Sequence, residues 1–156
     1  MTMTAPAAAV ATSASEIQLA TFWLGDFLLG IDIHCIRGIN RVGTITPVPE
    51  APAMVAGVVN LRGDVVTVVD LRTILHLPVI ELTPKTRLLV VQSEAESIGL
   101  LVDRVADVVT VTTDDAEPLP ANFNGVASQY FTRVYRVGAD LLVTLDVTAA
   151  LAVAEN

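Results

Sequence analysis

The stretch that decides the fold is Gly57–Arg72, GVVNLRGDVVTVVDLR. It consists of an apolar segment, a tight polar turn from Asn60 to Gly63, and a valine-rich run that stops at Asp70. Glycine supplies the left-handed or close-approach geometry that a tight turn needs. The run that follows the turn is typical of a strand covered on both faces. The sequence therefore predicts two strands joined by a tight turn.

This turn lifts Arg62 away from the edge of the sheet, where a guanidinium can make several directed hydrogen bonds. An arginine aimed from between two buried strands is more often a recognition element than a catalyst. The alternative is an ordinary solvated arginine in a turn. The physics of the turn favours neither interpretation.

The same stretch resembles the signature of the CheW-like family, the coupling proteins of bacterial chemosensory systems. The family pattern, close to G-V-x-N-L-R-G-x-V-x-P-V-x-D-L-R, is matched except that Thr67 replaces the proline. Three more segments, Thr46–Pro52, Ile98–Val109 and Leu141–Val147, resemble the other motifs of the family in the same order. The resemblance therefore covers nearly the whole chain.

The family implies an all-β fold with short helices, in which two intertwined five-stranded SH3-like β-barrel subdomains share a core. The chain itself shows roughly ten short apolar runs separated by turn residues, which agrees with barrels or sandwiches. Ile17–Leu24 and Phe27–Ile36 predict a hairpin that turns at Gly25-Asp26. We expect a flexible tail over residues 1–16 and the CheW-like domain over residues 17–154, and we find no internal repeat.

Helix signals are short. Asp70 is placed to cap a helix over Leu71–Leu77, and Asp146–Ala154 predicts a terminal helix capped in the same way. The stretch Thr113–Gln129 is predicted to be a long loop and a possible contact surface.

Composition limits the classes of function. The 156 residues suit one domain with a sizeable core,. A hydrophobic content of 53% and a mean hydropathy of +0.62 suggest that much of the surface is apolar and covered by partners,. A membrane-spanning helix is not expected, because no uninterrupted apolar stretch approaches roughly 18 residues. With 9 basic against 17 acidic residues and a net charge of -8, nucleic-acid binding is not expected either,.

The start of the chain lacks the basic and apolar parts of a secretory signal. The single cysteine, Cys35, excludes an internal disulfide and fits a reducing compartment,. We therefore expect a cytoplasmic bacterial protein, and the family implies its recruitment to receptor arrays at the inner membrane.

No catalytic or metal-binding constellation is predicted. His34 and Cys35 are adjacent on a predicted strand, so their side chains point to opposite faces, and we expect a partly buried histidine and a core thiol. Metal sites need three or four convergent ligands, which isolated residues do not supply. Asp114, Asp115 and Glu117 lack calcium-loop spacing and are expected to form a solvated acidic loop. The chain is predicted to be neither an enzyme nor the carrier of a cofactor.

The family implies two protein partners. One is the cytoplasmic tip of a chemoreceptor helical hairpin, received in a hydrophobic groove that corresponds here to Ile36, Ile39, Arg62 and Leu100. The three apolar residues could equally be ordinary core residues, as is expected of Ile33 and Leu101. The other partner is the regulatory domain of a chemotaxis histidine kinase, with possible assembly into rings. Asn60, Gly63 and Asp70 are expected to be structural.

The predicted function is thus that of a non-enzymatic adaptor that couples receptors to the kinase. Two departures from the family pattern bear on the choice of receptor: Gly38 stands where many members carry a glutamate that can pair with the arginine aligned to Arg62, and Arg133 stands where glycine is usual. An alternative is a kinase-binding array component or inhibitor that does not engage receptors. A small-molecule binder would need a convergent polar site, and the sequence shows none.

Overall fold

The computed structural model describes residues 15–78, 80–93, 96–119 and 129–155. Most of the predicted tail and residues 120–128 of the predicted loop lie outside these ranges. The strands are β1 (Glu16–Leu24), β2 (Phe27–Asp32), β3 (Ile36–Arg41), β4 (Val55–Leu61), β5 (Asp64–Asp70), β6 (Arg87–Ser93), β7 (Glu96–Val102), β8 (Arg104–Thr112), β9 (Phe131–Val137) and β10 (Asp140–Leu145). The α-helices are α1 (Leu71–Ile74) and α2 (Val147–Glu155).

The strands form two five-stranded sheets, ordered β9-β10-β2-β1-β8 and β3-β6-β7-β5-β4. The second sheet is built from consecutive strands, and the first takes two strands from before it and three from after it. One backbone bridge closes each sheet into a barrel: Thr46 pairs with Val58, and Glu117 pairs with Val134. The predicted all-β fold of two intertwined SH3-like barrels is confirmed.

Three apolar clusters hold the barrels together, one inside each barrel and one between them. On β6, Leu88 points into the second barrel, whereas Leu89 lies in the cluster between the barrels. On β2, Leu28 and Leu29 divide in the same way between the first barrel and the shared cluster. Because both faces of these strands are buried, their sequences are apolar at successive positions. The high hydropathy therefore serves three cores. Several large apolar side chains are nevertheless exposed, among them Ile39, Val65 and Val108, and their cover by partners stays a prediction.

The two barrels repeat one topology, with the strands in a circularly permuted order. Their closing bridges align Val58 with Val134. The next strand of each barrel leads into an aspartate that caps a helix: β5 ends at Asp70, and Asp146 follows β10. Asp70 Oδ1 accepts a hydrogen bond from the amide of Arg72 at 2.9 Å, and Asp146 Oδ1 accepts one from the amide of Ala149 at 3.1 Å. A structural repeat is thus present that the sequence comparison within the chain did not find.

The segment after β2 corrects the sequence prediction. Strand β2 ends at Asp32 because its carboxylate accepts a hydrogen bond from the amide of His34 at 2.9 Å and starts a 3-10 turn over Ile33–Cys35. His34 and Cys35 are therefore both exposed, and the expected partly buried histidine and core thiol were wrong. Although Cys35 is exposed, neighbouring protein atoms displace some of the water around its thiol and raise its pKa, and the nearby carboxylates of Asp32 and Asp146 raise it further.

Helix α1 is shorter than predicted. His76 adopts a left-handed backbone with φ of 61°, and its amide donates to the carbonyl of Thr73 at 3.2 Å. The amide of Leu77 donates to the carbonyl of Arg72 at 2.7 Å. This pair of bonds is the Schellman closure of a helix. It ends the helix before Pro78, so His76 serves as a left-handed cap.

A polar junction ties α1 to both barrels. The Arg72 side chain, 9% exposed for the residue as a whole, donates from Nε to Asp103 Oδ1 at 3.0 Å and from a terminal nitrogen to Asp103 Oδ2. Its other terminal nitrogen donates to the carbonyl of Pro78 at 2.8 Å, and the amide of Gly25 donates to Asp103 Oδ2 at 2.7 Å. Burial acts to raise the pKa of Asp103, but the hydrogen bonds from Arg72 and Gly25 outweigh it and hold that pKa below its ordinary value.

Replacing Asp103 with Asn should lower the free energy of unfolding at pH 7 by about 2 kcal/mol or more, because it leaves a buried arginine without its counter-charge. The pKa of Asp103 is lower in the folded chain than in the unfolded chain. The stabilisation is therefore present above the unfolded value of about 3.9 and is lost as the pH falls through the folded value. Denaturant unfolding of both proteins between pH 7 and pH 2 tests this. A gap between them that stays constant to pH 2 would contradict it.

The structural repeat places Gly57 of the second barrel at the position that Arg133 holds in the first barrel. The close packing of Gly57 provides a second test. Gly57 has φ of 148°, and a Cβ there would lie 2.3 Å from the carbonyl oxygen of Thr46. Gly57→Ala should therefore cost more than about 2 kcal/mol. Gly138→Ala is the control, because its φ of 60° is strained but no atom lies within 4 Å of its Cβ, and we expect a loss of about 1 kcal/mol. Equal losses in thermal unfolding would refute the close-packing argument.

Candidate functional site

The turn between β4 and β5 contains two residues, Arg62 and Gly63, with positive φ values of 53° and 91°. Positive φ at both positions is the type I′ arrangement that matches the twist of a hairpin. Asn60 Oδ1 accepts a hydrogen bond from the amide of Gly63 at 2.8 Å and fixes the turn. Arg62 is exposed, and its guanidinium makes no hydrogen bond or ion pair with any residue that the structure describes.

A β-bulge in β3 brings two of the predicted groove residues together. Ile36 lies opposite Val91, but Ile39 lies opposite Leu89, so the strand carries one extra residue between them. A bulge of this kind shifts the alternation of side chains by one position. Ile36 and Ile39 therefore face the same side of the sheet, although they are three residues apart.

The same face of the sheet carries Leu100, the third apolar residue predicted for the groove, but Leu100 is buried. The strand registers place Ile39, Leu89, Leu100 and Val69 in one row across β3, β6, β7 and β5. Leu100 is 1% exposed and lies in the cluster between the barrels, whereas Ile39, at the end of the row, is 47% exposed. Ile36 is half-buried against that cluster. Leu100 is thus a core residue that offers no surface to a partner, which corrects its assignment to the groove.

The two residues that were expected to be in the core, Leu101 and Ile33, also differ in burial. Leu101 is buried in the second barrel. Ile33 is half-buried in the 3-10 turn before β3. Neither contributes to the exposed end of the row, so Ile39 is the apolar centre of the candidate site.

Two arginines that sequence reasoning missed flank Ile39 on the same edge strand. Arg37 and Arg41 are exposed, and neither makes a side-chain hydrogen bond or ion pair within the described ranges. Thr46 pairs antiparallel with Val58, so the chain between Arg41 and Thr46 runs back toward the Arg62 turn, and Val42 and Leu61 both pack against the core of the second barrel. We call Arg37, Ile39, Arg41 and Arg62 the β3 surface. The sequence signal that could have identified these two arginines is the pattern Arg-x-Ile-x-Arg in a strand.

Gly38 lies on the other face of β3, opposite Val90. A Cβ at Gly38 would approach only Asn40 Oδ1, at 3.4 Å. No carboxylate of the described chain pairs with Arg62. The β3 surface therefore combines an exposed apolar side chain with uncompensated positive charge.

The remaining predicted residues have structural surroundings. Asp70 caps α1, and burial raises its pKa although the amide and charge of Arg72 act to lower it. In the acidic loop, Asp114 and Asp115 are exposed, and Glu117 forms an ion pair with Arg136 at 2.9 Å. Among the described residues, no group of three or more His, Cys, Asp or Glu side chains is arranged to hold a metal ion. No helix in the same ranges is long and apolar enough to span a membrane.

Two intertwined SH3-like barrels with a shared core and an exposed, charged edge define a double-barrel interaction domain. The family model of the CheW-like domain matches residues 18–155, and the chain belongs to this family. It is 32% identical over 142 residues to the chemotaxis protein CheW of Treponema pallidum, covering 88% of this chain and 84% of that protein.

Two further comparisons extend this finding. The chain is 39% identical over 103 residues to the chemotaxis protein CheW of Rhizobium meliloti, covering 66% of each. The crystal structure of the scaffolding protein TtCheW from Thermoanaerobacter tengcongensis superposes with a TM-score of 0.77, at 22% identity and with 86% of each chain covered. This last likeness establishes the fold.

Replacing Arg62 separates its two properties, a free guanidinium and a left-handed backbone. Arg62→Ala keeps the unfavourable backbone and should change the free energy of unfolding by less than about 0.5 kcal/mol. Arg62→Gly relieves the strain and should stabilise the fold by up to about 1 kcal/mol. If the guanidinium is the recognition element, both variants should lose more than about 1 kcal/mol of partner binding. Unchanged binding together with a large loss of stability would make the arginine structural.

Proposed function

We propose that this chain is a non-enzymatic adaptor that couples chemoreceptors to a chemotaxis-type histidine kinase in chemosensory signal transduction. The observation that carries the proposal is the turn that holds an uncompensated Arg62 out from a CheW-like double barrel. The turn fixes the backbone of Arg62, and the planar guanidinium is itself preorganised, so less freedom is lost for each hydrogen bond that it forms on binding.

The receptor would contact the β3 surface. A few apolar anchors carry most of the energy when a helix docks on a groove. Ile39 is such an anchor, because it is exposed at the end of a row whose other members are buried. Ile36, half-buried beside it, extends the apolar floor.

The second proposed partner is the regulatory domain of the kinase. The structural repeat gives the chain two similar barrels, so a partner of related architecture could dock on either end. Contacts of that head-to-tail kind close into rings when the rotation between subunits permits. We place the adaptor at receptor arrays on the cytoplasmic side of the inner membrane.

Ile39→Asp should weaken binding to the receptor by at least tenfold, because a charge would replace the apolar anchor. Val108→Asp is the matched control, since Val108 is 50% exposed on a strand of the other barrel. Binding of both variants to the cytoplasmic fragment of a receptor and to the kinase regulatory domain, from the same cell, can be measured by calorimetry.

The pattern of binding distinguishes the candidate functions. A wild-type chain that binds the kinase domain but no receptor would replace the coupling function by that of a kinase-binding array component or inhibitor. A chain that binds neither would overturn the proposed function. Equal losses in the two variants would show that the receptor site is not centred on Ile39.

A further inference from the structure

The charge of the β3 surface is not explained by the fold. The chain carries 17 acidic and only 9 basic residues, yet three of the basic residues, Arg37, Arg41 and Arg62, belong to the β3 surface. None of the three is held by a carboxylate or carbonyl of the described residues. Arg72, by contrast, is fully engaged by Asp103 and Pro78. The free arginines therefore stabilise no contact within the described fold.

We infer that the β3 surface selects a partner helix that carries an apolar side chain with carboxylates four residues before it and four residues after it. The inference rests on the proposed function, because Ile39 is common to both, and it names the chemistry of the partner. Arg37 and Arg41 are four strand residues apart, a span of about 13 Å. Eight helical residues span about 12 Å. The two carboxylates would thus reach one arginine each while the apolar side chain packs on Ile39.

The sequence of β3 supports an external source for the carboxylates. A carboxylate on this strand would neutralise the arginines within the chain, but the residues between Arg37 and Arg41 are Gly38, Ile39 and Asn40, none of which is acidic. A guanidinium with all its donors free can bind a carboxylate through two parallel hydrogen bonds. Because the whole chain has a net charge of -8, an acidic partner is repelled by the chain as a whole but attracted to this surface. This contrast in charge fixes where on the chain the partner helix binds.

A competing explanation is that Arg37 and Arg41 protect an edge strand. Among the described strands, β3 pairs with β6 alone, and charged side chains on an edge strand prevent unwanted strand pairing. Reversing the charges separates the two explanations. Glutamates at these positions would still protect the edge, but they would repel an acidic helix.

The test titrates the full-length, ¹⁵N-labelled chain with three synthetic alanine-rich helical peptides. The first carries Glu-x-x-x-Leu-x-x-x-Glu, the second has Lys in place of both Glu residues, and the third has Ala in place of Leu. The chain is used as wild type, as R37E/R41E, and as K85E/R133E. The last variant is the matched control, because it makes the same change of charge at two exposed residues that do not belong to the β3 surface.

The first peptide should shift the amide signals of residues 36–41 and 62–63 and should bind at least tenfold more tightly than the other two. R37E/R41E should lose this binding by at least tenfold, whereas K85E/R133E should keep it to within about twofold. Because the contacts lie at the surface, raising the ionic strength from about 0.05 M to about 0.5 M should also weaken binding.

Equal binding of the lysine peptide, or unchanged binding to R37E/R41E, would overturn the inference and leave the arginines as edge protection. Failure of the proposed function has a different signature. If the wild type binds a receptor but not the first peptide, the inference alone is wrong. If the peptide binds at β3 while no receptor binds, the surface is as inferred and the coupling function is wrong.

Discussion

The structure depends on the apolar face that the two barrels share. The cluster between them draws on strands of both sheets and on both helices, so neither barrel buries its outer face without the other. A five-stranded barrel has too few residues for a large core of its own, and small cores are marginally stable. Sharing one apolar face gives both barrels a larger core. It also restricts the sequence, because strands such as β2 and β6 must be apolar on both sides. The junction of Arg72 with Asp103 closes the edge of this face by linking α1 to the turn of β1 and β2.

The structural repeat shows where the two barrels were free to differ. Both keep the closing bridge and the aspartate that caps the following helix. They differ at the hairpin tip, where one barrel has Arg62-Gly63 and the other has Gly138-Ala139. They also differ at the β-bulge that each barrel has in its β4 or β9 strand. In one barrel Gly57 lies against Thr46. In the other barrel Arg133 is exposed, and its amide donates to the Thr144 hydroxyl at 3.0 Å. The positions that packing constrains are thus the same in both barrels. The recognition residues occupy positions that packing does not constrain.

The sequence allowed prediction of what local patterns encode. Turn residues such as Gly25 and Gly63, continuous apolar runs and capping aspartates gave the strands, the hairpins and the helix starts, and the ordered motifs gave the family. Prediction failed where distant contacts decide. Leu100 and Ile39 are both apolar residues on strands, and only the register across four strands shows that one is covered and the other exposed. The bond between Arg72 and Asp103 joins residues 31 positions apart. The turn at His34 was missed because a single side-chain bond from Asp32 ended a strand that was otherwise apolar enough to continue.

The position of the candidate site follows from the shared face. The row Val69, Leu100, Leu89 is covered by the opposite barrel, and Ile39 is the first member beyond that cover. A partner that packs on Ile39 therefore extends the layer that joins the barrels. Because packed apolar layers transmit small displacements, such a partner would bear on both barrels at once. An adaptor needs this property, since its two partners must be linked through the body of the protein. A site at the edge of the shared face supplies that link, whereas a site on the outer wall of one barrel would not.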